Sequence, residues 1–338
     1  MDIREFDPRA IERGTTAVFY LDVTSTAGGM PIRQTVLAVG GVEPGPVLLL
    51  SGGVHGDEYE GPLTIMRLFH ELEPSRIRGT WVGLVVANVP AFEAATRCSP
   101  IDGLNLARVF PGDPHGSVTR QIAYWMGERL IRRADYYVDL HSSGSDMEMV
   151  QMCGYTTVGV ARVAEMSQRM ADAFHAEVVW AHPDLAPGRT GSLALAHDVP
   201  FIYTECPASR CVSLADVEVY QRGVRNVMRV VGMLDGDLEG QPSRYYLFGS
   251  GNIDAAITVT RSGFFLPARK LLDWVENGDL LGSVFDLAGN VLEELRAPMA
   301  GFVGLRQLLP TVNAGQVVFM LGEKYESPQL NKEEGRIL

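Results

Sequence analysis

The sequence has few of the features that mark secreted, membrane-spanning or nucleic-acid-binding proteins. Its 338 residues include only four cysteines, which form no CxxC pair and are expected to be reduced thiols: Cys98, Cys153, Cys206 and Cys211. No apolar run approaches the ~20 residues that cross a bilayer. The N-terminal stretch "MDIREFDPRA" contains no apolar segment of the signal-peptide kind. These absences predict a cytoplasmic protein with no membrane partner.

Basic residues are also in deficit, with 29 Lys and Arg against 41 Asp and Glu and a net charge of −12. This balance argues against nucleic acid or an anionic membrane as a partner. The hydrophobic fraction of 46% and the charged fraction of 21% are those of an ordinary globular protein. The length allows two domains, and a homodimer is the default expectation for assembly.

Apolar runs alternate with helical patterns from about residue 35 to residue 240. Strands are predicted at residues 47–50, 81–87, 136–140, 178–180 and 201–203, and helices at 119–133, 160–174 and 214–234. This alternation predicts an α/β fold with a mixed, mostly parallel sheet and helices on both faces. Residues 1–240 are therefore predicted to form the first domain.

The pattern changes after the polar stretch "DGDLEGQPSR" (235–244), which is interpreted as a linker. Short β-like runs separated by turn residues follow it. The segments "VENGDLLGSVFD" and "VNAGQVVFMLG" each place Val-x-x-Gly before a strand, which is a weak internal repeat. Residues 245–338 are therefore predicted to form a small C-terminal β-barrel or sandwich domain.

Polar residues stand where several predicted strands end. His55 and Glu58 lie in "SGGVHGDEYEGP" (51–62), directly after the first buried strand. His141 follows "DYYVDL", and Glu205 comes two residues after "FIY". Because sites in open α/β sheets form outside the carboxyl ends of the strands, we expect these four side chains to converge.

Two imidazoles and one carboxylate are a typical ligand set for catalytic zinc, with a fourth position open to water. The sequence therefore predicts one Zn²⁺ per chain, held by His55, Glu58 and His141. Neighbouring glycines are expected to let the backbone turn tightly around the ion: Gly52, Gly53 and Gly56. Zinc would lower the pKa of a bound water from about 15.7 towards about 7. The second carboxylate, Glu205, would then move the protons.

Each residue taken alone has another interpretation. A His-x-x-Glu pair is common in acidic loops. His141 is alternatively a core histidine bonded to Asp139 or Ser142, and Glu205 a helix cap or an ion-pair partner. The remaining histidines lack partners at ligand spacing and are interpreted as structural or surface residues: His70, His115, His175, His182 and His197. The joint placement favours the metal site.

Four segments resemble, in the same order, the succinylglutamate desuccinylase/aspartoacylase family, a branch of the zinc carboxypeptidase-like fold. They are "GGVHGDEYEGP", "NVPAFEAATRCSPIDGLNLARVFPG", "ADYYVDLHSSG" and "PFIYTECP". The resemblance covers roughly residues 35 to 320. It implies the same three zinc ligands and makes Glu205 the general base and acid. It also implies that Arg97 steadies the oxyanion and that Arg108 grips a substrate carboxylate, as a guanidinium fork can.

The sequence departs from this family at two places. The usual Asn-Leu-Asn-Arg motif reads Asn-Leu-Ala-Arg at 105–108. Asn105 and Arg108 are expected to bind substrate, while Ala107 leaves open whether a free α-carboxylate is required. Residues 206–208 read Cys-Pro-Ala where many relatives have small glycine-rich residues, so a reshaped leaving-group pocket is expected.

Two further segments carry expectations about binding. Arg189, in "PGRTGSL", is expected to contact an acidic group of the substrate, with a solvated loop arginine as the alternative. The C-terminal region resembles the family's β-domain and biotinyl/lipoyl carriers. Its "RAPMAG" segment (296–301) offers Met299 and no lysine, so no carrier role is expected.

The sequence thus predicts a zinc-dependent amidohydrolase that removes an acyl group from a small N-acyl amino acid or related amide. A water activated by zinc would attack the carbonyl, with Glu205 as general base. A metallocarboxypeptidase acting on peptides and a catalytically silent metal-binding protein are the alternatives. The acyl group and the amine stay open.

Overall fold

A computed structural model describes residues 1–326, and of Ala255 the backbone alone. The last residues of the predicted C-terminal domain, 327–338, lie outside the described part. The chain up to residue 248 forms, in order, β1 (Thr15–Ser25), β2 (Pro31–Gly40), β3 (Glu43–Gly52), α1 (Glu60–Glu71), β4 (Arg78–Leu84), α2 (Val89–Ala94), α3 (Val118–Arg129), β5 (Tyr136–Leu140), β6 (Met147–Met149), β7 (Met152–Thr156), α4 (Ala161–Phe174), β8 (Val178–His182), α5 (Thr190–Ala196), β9 (Phe201–Glu205), α6 (Leu214–Val230) and β10 (Tyr245–Phe248). Short 3₁₀ helices cover Ile3–Glu5, Pro8–Ala10, Pro74–Arg76, Leu106–Arg108, Ile131–Arg133 and Ile253–Ala255.

All of these strands except β6 follow one another in one mixed sheet, in the order β1-β2-β4-β3-β5-β9-β7-β8-β10. The middle strands β4, β3, β5 and β9 run parallel, as do β7, β8 and β10. The β1–β2 hairpin, the β2–β4 pair and the β7–β9 pair are antiparallel. The predicted mixed α/β fold is confirmed, whereas a mostly parallel sheet is not, because the N-terminal hairpin adds antiparallel strands without crossover helices.

Helices cover both faces of the sheet, and β3 shows why. Leu48 and Leu50 pack into a core cluster with residues of α1, α4 and α6, such as Ile65. Val47 and Leu49 point to the opposite face, where α3 and α5 pack. A strand buried on both faces reads as the continuous apolar run seen at 47–50, and each such side chain contributes about 1.5–3 kcal/mol on burial.

Most predicted elements exist, with differences at their ends. The strand predicted at 136–140 is β5, and the helix predicted at 160–174 is α4 from residue 161. The helix predicted at 214–234 ends at Val230, because Gly232 adopts a left-handed φ of 79° just beyond the helix end. The helix predicted at 119–133 breaks after Arg129 and continues as a short 3₁₀ turn.

The C-terminal region contains β11 (Ile257–Thr258), β12 (Gly263–Pro267), β13 (Trp274–Val275), β14 (Leu280–Phe285), β15 (Val291–Arg296), β16 (Gly301–Gln307), β17 (Thr311–Val312) and β18 (Val317–Lys324). Strands β15, β14, β12 and β17 form a separate sheet, while β18 pairs with β10 and carries β16 and β13 into the main sheet. The two repeated segments have the same form: buried Val275 and Val312 each end a two-residue strand before a turn and a longer strand. A closed barrel is not confirmed.

The predicted linker is held against the rest of the chain. Arg78 donates two hydrogen bonds to Asp235, and Glu239 accepts from Arg225 and Arg229 of α6. The strand β10 then joins the main sheet beside β8. The domain boundary at 240–245 therefore stays a prediction. Among residues 1–326, the helices are too short or too polar to cross a membrane.

Candidate active site

The site lies at the carboxyl edge of three neighbouring parallel strands. Strand β3 pairs with β5 so that Gly52 faces Leu140, and β5 pairs with β9. The backbone N–H of His141 donates to the Thr204 carbonyl at 3.1 Å, which aligns the ends of β5 and β9. Because β4 lies on one side of β3 and β5 on the other, the chain diverges here and opens the crevice in which α/β proteins bind ligands.

The glycines between β3 and α1 serve two different purposes. Gly53 alone among the three predicted turn residues adopts a left-handed φ, at 60°. A Cβ on Gly52 would lie 2.7 Å from the backbone nitrogen of Pro62. A Cβ on Gly56 would lie 2.0 Å from the carbonyl carbon of Ala91. The tight-turn prediction therefore fits Gly53, whereas Gly52 and Gly56 let two backbones come close together.

The three predicted metal ligands meet at one point in the protein interior. His55 Nδ1 lies 2.7 Å from Glu58 Oε1, and His141 Nδ1 lies 2.9 Å from Glu58 Oε2. One ligand atom from each residue falls within 4.8 Å of the other two, and all three residues are buried. Two ring nitrogens and a carboxylate oxygen at this spacing match the donor set of a three-ligand zinc site.

The hydrogen bonds made by the two Nε2 atoms determine which nitrogen of each histidine faces Glu58. His55 Nε2 lies 3.1 Å from Asn105 Oδ1, and the same oxygen accepts from the Ala107 backbone N–H at 2.9 Å. That second bond identifies the atom as the amide oxygen, so the neutral His55 ring carries its proton on Nε2. His141 Nε2 lies 3.0 Å from Asp139 Oδ2 and is protonated, because a carboxylate oxygen only accepts hydrogen bonds. Both Nδ1 atoms therefore face Glu58, where a metal ion would bind them in place of a proton.

Burial and neighbouring charges together shift the pKa values of the three predicted ligands. Burial lowers the pKa of His55 to about 4, and Arg97 adds to the shift. Burial opposes ionisation of Glu58, but His55 and His141 hold its pKa below the usual range. Burial also opposes the charge on His141, yet Asp139 and Glu58 raise its pKa well above the usual value. A divalent cation would replace the proton shared between imidazole and carboxylate, so the donor set fits a metal.

Glu205 ends strand β9 beside this group. Burial raises the pKa of its carboxyl group to about 8, and the nearby Glu58 charge adds to the shift. Its Oε2 atom is enclosed and has no hydrogen-bond partner among the described residues. An enclosed carboxyl oxygen without a partner is costly, and a catalytic role or a bound group would explain it.

The candidate site residues share one cavity of about 360 Å³, which is lined by His55, Arg97, Arg108, His141, Arg189 and Glu205. Arg97 donates to Glu58 Oε1 at 3.1 Å and keeps 40% of its side chain exposed. Arg108 and Arg189 lie on the same wall and both contact Asp254. Asn105 sits behind His55, because its side-chain oxygen is bonded to that ring, and its role towards substrate stays a prediction.

Several cavity residues were missed from the sequence. His182, interpreted as structural or surface, is buried in the cavity wall, where Nδ1 donates to the Gly249 carbonyl at 2.9 Å. The Tyr203 hydroxyl lies 2.7 Å from His182 Nε2. The sequence offered one signal for His182, which is its position at the end of the parallel strand β8. The two interpretations of His141 turn out to be compatible, because it binds Asp139 through one nitrogen and faces Glu58 with the other.

Comparison with known proteins gives consistent matches. A model of the succinylglutamate desuccinylase/aspartoacylase catalytic domain matches residues 44–231. The chain is 28% identical over 336 residues to the N-alpha-acetyl-L-2,4-diaminobutyric acid deacetylase of Halomonas elongata, covering 96% of this chain and 94% of that protein.

Solved structures agree with the sequence matches. The product-bound ectoine utilization protein EutE (DoeB) of Ruegeria pomeroyi superposes with a TM-score of 0.84 at 27% identity, over 93% of this chain and 98% of that one. A succinylglutamate desuccinylase/aspartoacylase of Rhodobacter sphaeroides gives a TM-score of 0.84 at 25% identity, over 94% and 98% of the two chains.

Proposed function

Because the chain belongs to the succinylglutamate desuccinylase/aspartoacylase family, we propose that it is a zinc-dependent deacylase of small N-acyl amino acids or related amides. The observation that carries the proposal is the meeting of the ligand atoms of His55, Glu58 and His141 at the wall of the cavity that His55, His141 and Glu205 line. A relative named as an acetyl-diaminobutyrate deacetylase supports amide hydrolysis of an N-acyl amino acid.

His55, Glu58 and His141 would hold the zinc ion through two Nδ1 atoms and a carboxylate oxygen. When bound, zinc supplies a Lewis acid that polarises a carbonyl group and makes a water more acidic. The outer bonds from Asn105 and Asp139 keep the two rings oriented towards the ion. We therefore assign Asn105 and Asp139 as positioning residues.

Glu205 would accept a proton from the attacking water and return it to the departing amine nitrogen. The water oxygen bonds to the acyl carbon, the carbon–nitrogen bond breaks, and the products are a carboxylate and a free amine. A group with this task works best when its pKa lies near the working pH, and burial moves the pKa of Glu205 in that direction. Arg97 would stabilise the oxyanion, since its exposed guanidinium points into the same cavity.

Arg108 and Arg189 are the proposed substrate-binding residues, whereas Asn105, predicted as a third, is assigned to positioning because its side-chain oxygen is bonded to the His55 ring. The two arginines line the cavity and contact the same residue, Asp254, so they stand together where a substrate carboxylate would accept hydrogen bonds. The substrate is thereby held with its amide towards the metal. A dimeric assembly and a cytoplasmic location stay predictions.

A substrate panel tests the reaction class. Zinc-loaded protein should release free amine from N-acetyl or N-succinyl amino acids, including N-acetyl-diaminobutyrate, and should leave peptides with blocked N-termini intact. Cleavage of such peptides at the C-terminus would instead identify a metallocarboxypeptidase. Stoichiometric zinc without turnover on any substrate would identify a catalytically silent metal-binding protein.

Glu205→Gln tests the proton-transfer role. The variant should keep its zinc and lose roughly 10²-fold or more in kcat, because the amide cannot take up the proton. Glu294→Gln, at an exposed glutamate on β15, is the matched control and should behave as the unaltered protein. Near-normal turnover by Glu205→Gln would remove Glu205 from the mechanism.

A further inference from the structure

The two arginines assigned to substrate binding already donate hydrogen bonds to a carboxylate of the chain itself. Arg108 donates from Nε to Asp254 Oδ2 at 2.9 Å and from Nη2 to Asp254 Oδ1 at 3.1 Å. Arg189 Nη2 donates to Asp254 Oδ2 at 3.2 Å. The first pair of bonds has the two-pronged geometry with which a guanidinium binds any carboxylate. Asp254 therefore stands where a substrate carboxylate would be expected.

Asp254 is held there by its own segment of chain. Asn252 Oδ1 accepts from Arg189 Nη2 at 2.6 Å and from the Asp254 backbone N–H at 3.2 Å. Two residues earlier, the Ser250 hydroxyl donates to Asp184 at 3.0 Å. The segment begins at Gly249, whose carbonyl accepts from buried His182 at 2.9 Å. Although Asp254 is 55% exposed, it is attached to the cavity wall at successive points.

The charges at this wall leave room for one anionic group. Arg108 and Arg189 carry two positive charges and Asp254, which contacts both, carries one negative charge, so one positive charge remains within this contacting group. Asp184 also lines the cavity, but it is exposed and solvent screens its charge. Arg97, which also lines the cavity, is already paired with Glu58. A single substrate carboxylate would balance the remaining charge, while a second would meet Asp254 without compensation.

Arg210 is a further cation at the cavity rim. It is exposed and donates to the Ala95 carbonyl at 2.9 Å. Solvent and salt screen exposed charges, so Arg210 is a weak substitute for the inner pair.

We propose that Asp254 is a specificity-determining residue that restricts the substrate to one carboxylate. On this basis the site accepts N-acyl amino acids with neutral or cationic side chains and disfavours N-acyl dicarboxylic amino acids. The inference rests on the proposed deacylase function and narrows its substrate class.

N-acetyl-glutamine and N-acetyl-glutamate provide the test, because they have nearly the same shape and differ by one charge. Zinc-loaded protein should show a higher kcat/KM for the glutamine compound. In Asp254→Asn the ratio of kcat/KM values should shift towards the glutamate compound by about tenfold, the order expected for removing one charge near a part-exposed site. Asp237→Asn, which removes an equal charge at an exposed position, should leave the ratio unchanged.

Two outcomes decide the inference. A tenfold shift of the ratio in Asp254→Asn but not in Asp237→Asn supports it. An unchanged ratio overturns it, even where both kcat/KM values rise equally, because Asp254 would then only obstruct the site. If Asp254→Asn does not fold, Asp254→Ser provides the same comparison, because serine also removes the charge and adds no amide.

Binding measurements separate this inference from the proposed function. If the unaltered protein hydrolyses no substrate, the proposed function fails, yet calorimetric binding of L-glutamine and L-glutamate can still be compared. Asp254→Asn should bring the affinity for L-glutamate closer to that for L-glutamine, and no change in their relative affinity would overturn the inference.

Discussion

Replacing Asp139 by asparagine should weaken zinc binding although Asp139 is not a proposed ligand. The Asp139 carboxylate is buried and receives bonds from Ser51 Oγ at 2.6 Å, from His141 Nε2 at 3.0 Å and from Thr190 Oγ1. An asparagine keeps one acceptor oxygen and places an NH₂ donor among three donors. Where that NH₂ faces His141, the ring moves its proton to Nδ1, which is the ligand atom.

We expect zinc affinity to fall by about 10- to 100-fold in Asp139→Asn, the usual effect of losing an outer partner of a metal-binding histidine. This corresponds to about 1.4–2.8 kcal/mol. Competition with a chelator of known affinity measures the dissociation constant, and kcat at saturating zinc shows whether the loss is confined to binding.

Asp102→Asn is the matched control for Asp139→Asn. Asp102 accepts from the Thr119 backbone and hydroxyl and from the Leu104 backbone, and it lies outside the cavity lining. This control should lose stability and keep its zinc affinity. Unchanged zinc affinity in Asp139→Asn would refute the idea that Asp139 sets the tautomer of His141.

Three other changes have defined outcomes. His141→Ala should lower the zinc content measured by elemental analysis, because one of three ligands is lost; full zinc occupancy would exclude His141 as a ligand. Gly56→Ala should lower both the melting temperature and the zinc content, because the new Cβ would lie 2.0 Å from the Ala91 carbonyl carbon. The control Gly28→Ala should change neither, because its Cβ would have its nearest contact at 3.9 Å. Glu239→Gln should reduce the free energy of unfolding at pH 7 by about 1 kcal/mol, a value discounted for partial exposure. The Arg225 bond, with Arg229, lowers the pKa of Glu239 from 4.5 to about 2, so this stabilisation is present above pH 4.5 and lost as the pH falls towards 2. Urea unfolding at pH 7 and pH 3 should show the difference shrinking, and a constant difference would contradict the assignment.

The sequence predicted best what depends on neighbouring residues in the chain. Strands 47–50 and 136–140 were visible as apolar runs, and polar residues directly after them were placed correctly at one sheet edge. His55, Glu58 and His141 converge because parallel neighbouring strands end together.

Contacts between distant segments could not be read from the sequence. Asp254 reaches Arg108 across 146 residues, and Asn105 reaches His55 across 50. Neither pairing leaves a periodic signal, since each depends on how loops fold back onto the sheet. Gly56 illustrates the same limit. A side chain is excluded there by the backbone of Ala91, which lies 35 positions further along the chain.

The joining of β18 to β10 makes the C-terminal strands part of the structure that surrounds the candidate cavity. Gly304 and Gly322 press against the ring of fully buried Trp180, and Leu305 and Met320 line the cavity. A fragment ended at residue 240 would uncover that indole and leave the chamber without one of its sides. Conversely, exchanging this segment between relatives offers a way to remodel the chamber's shape while every proposed metal ligand stays untouched.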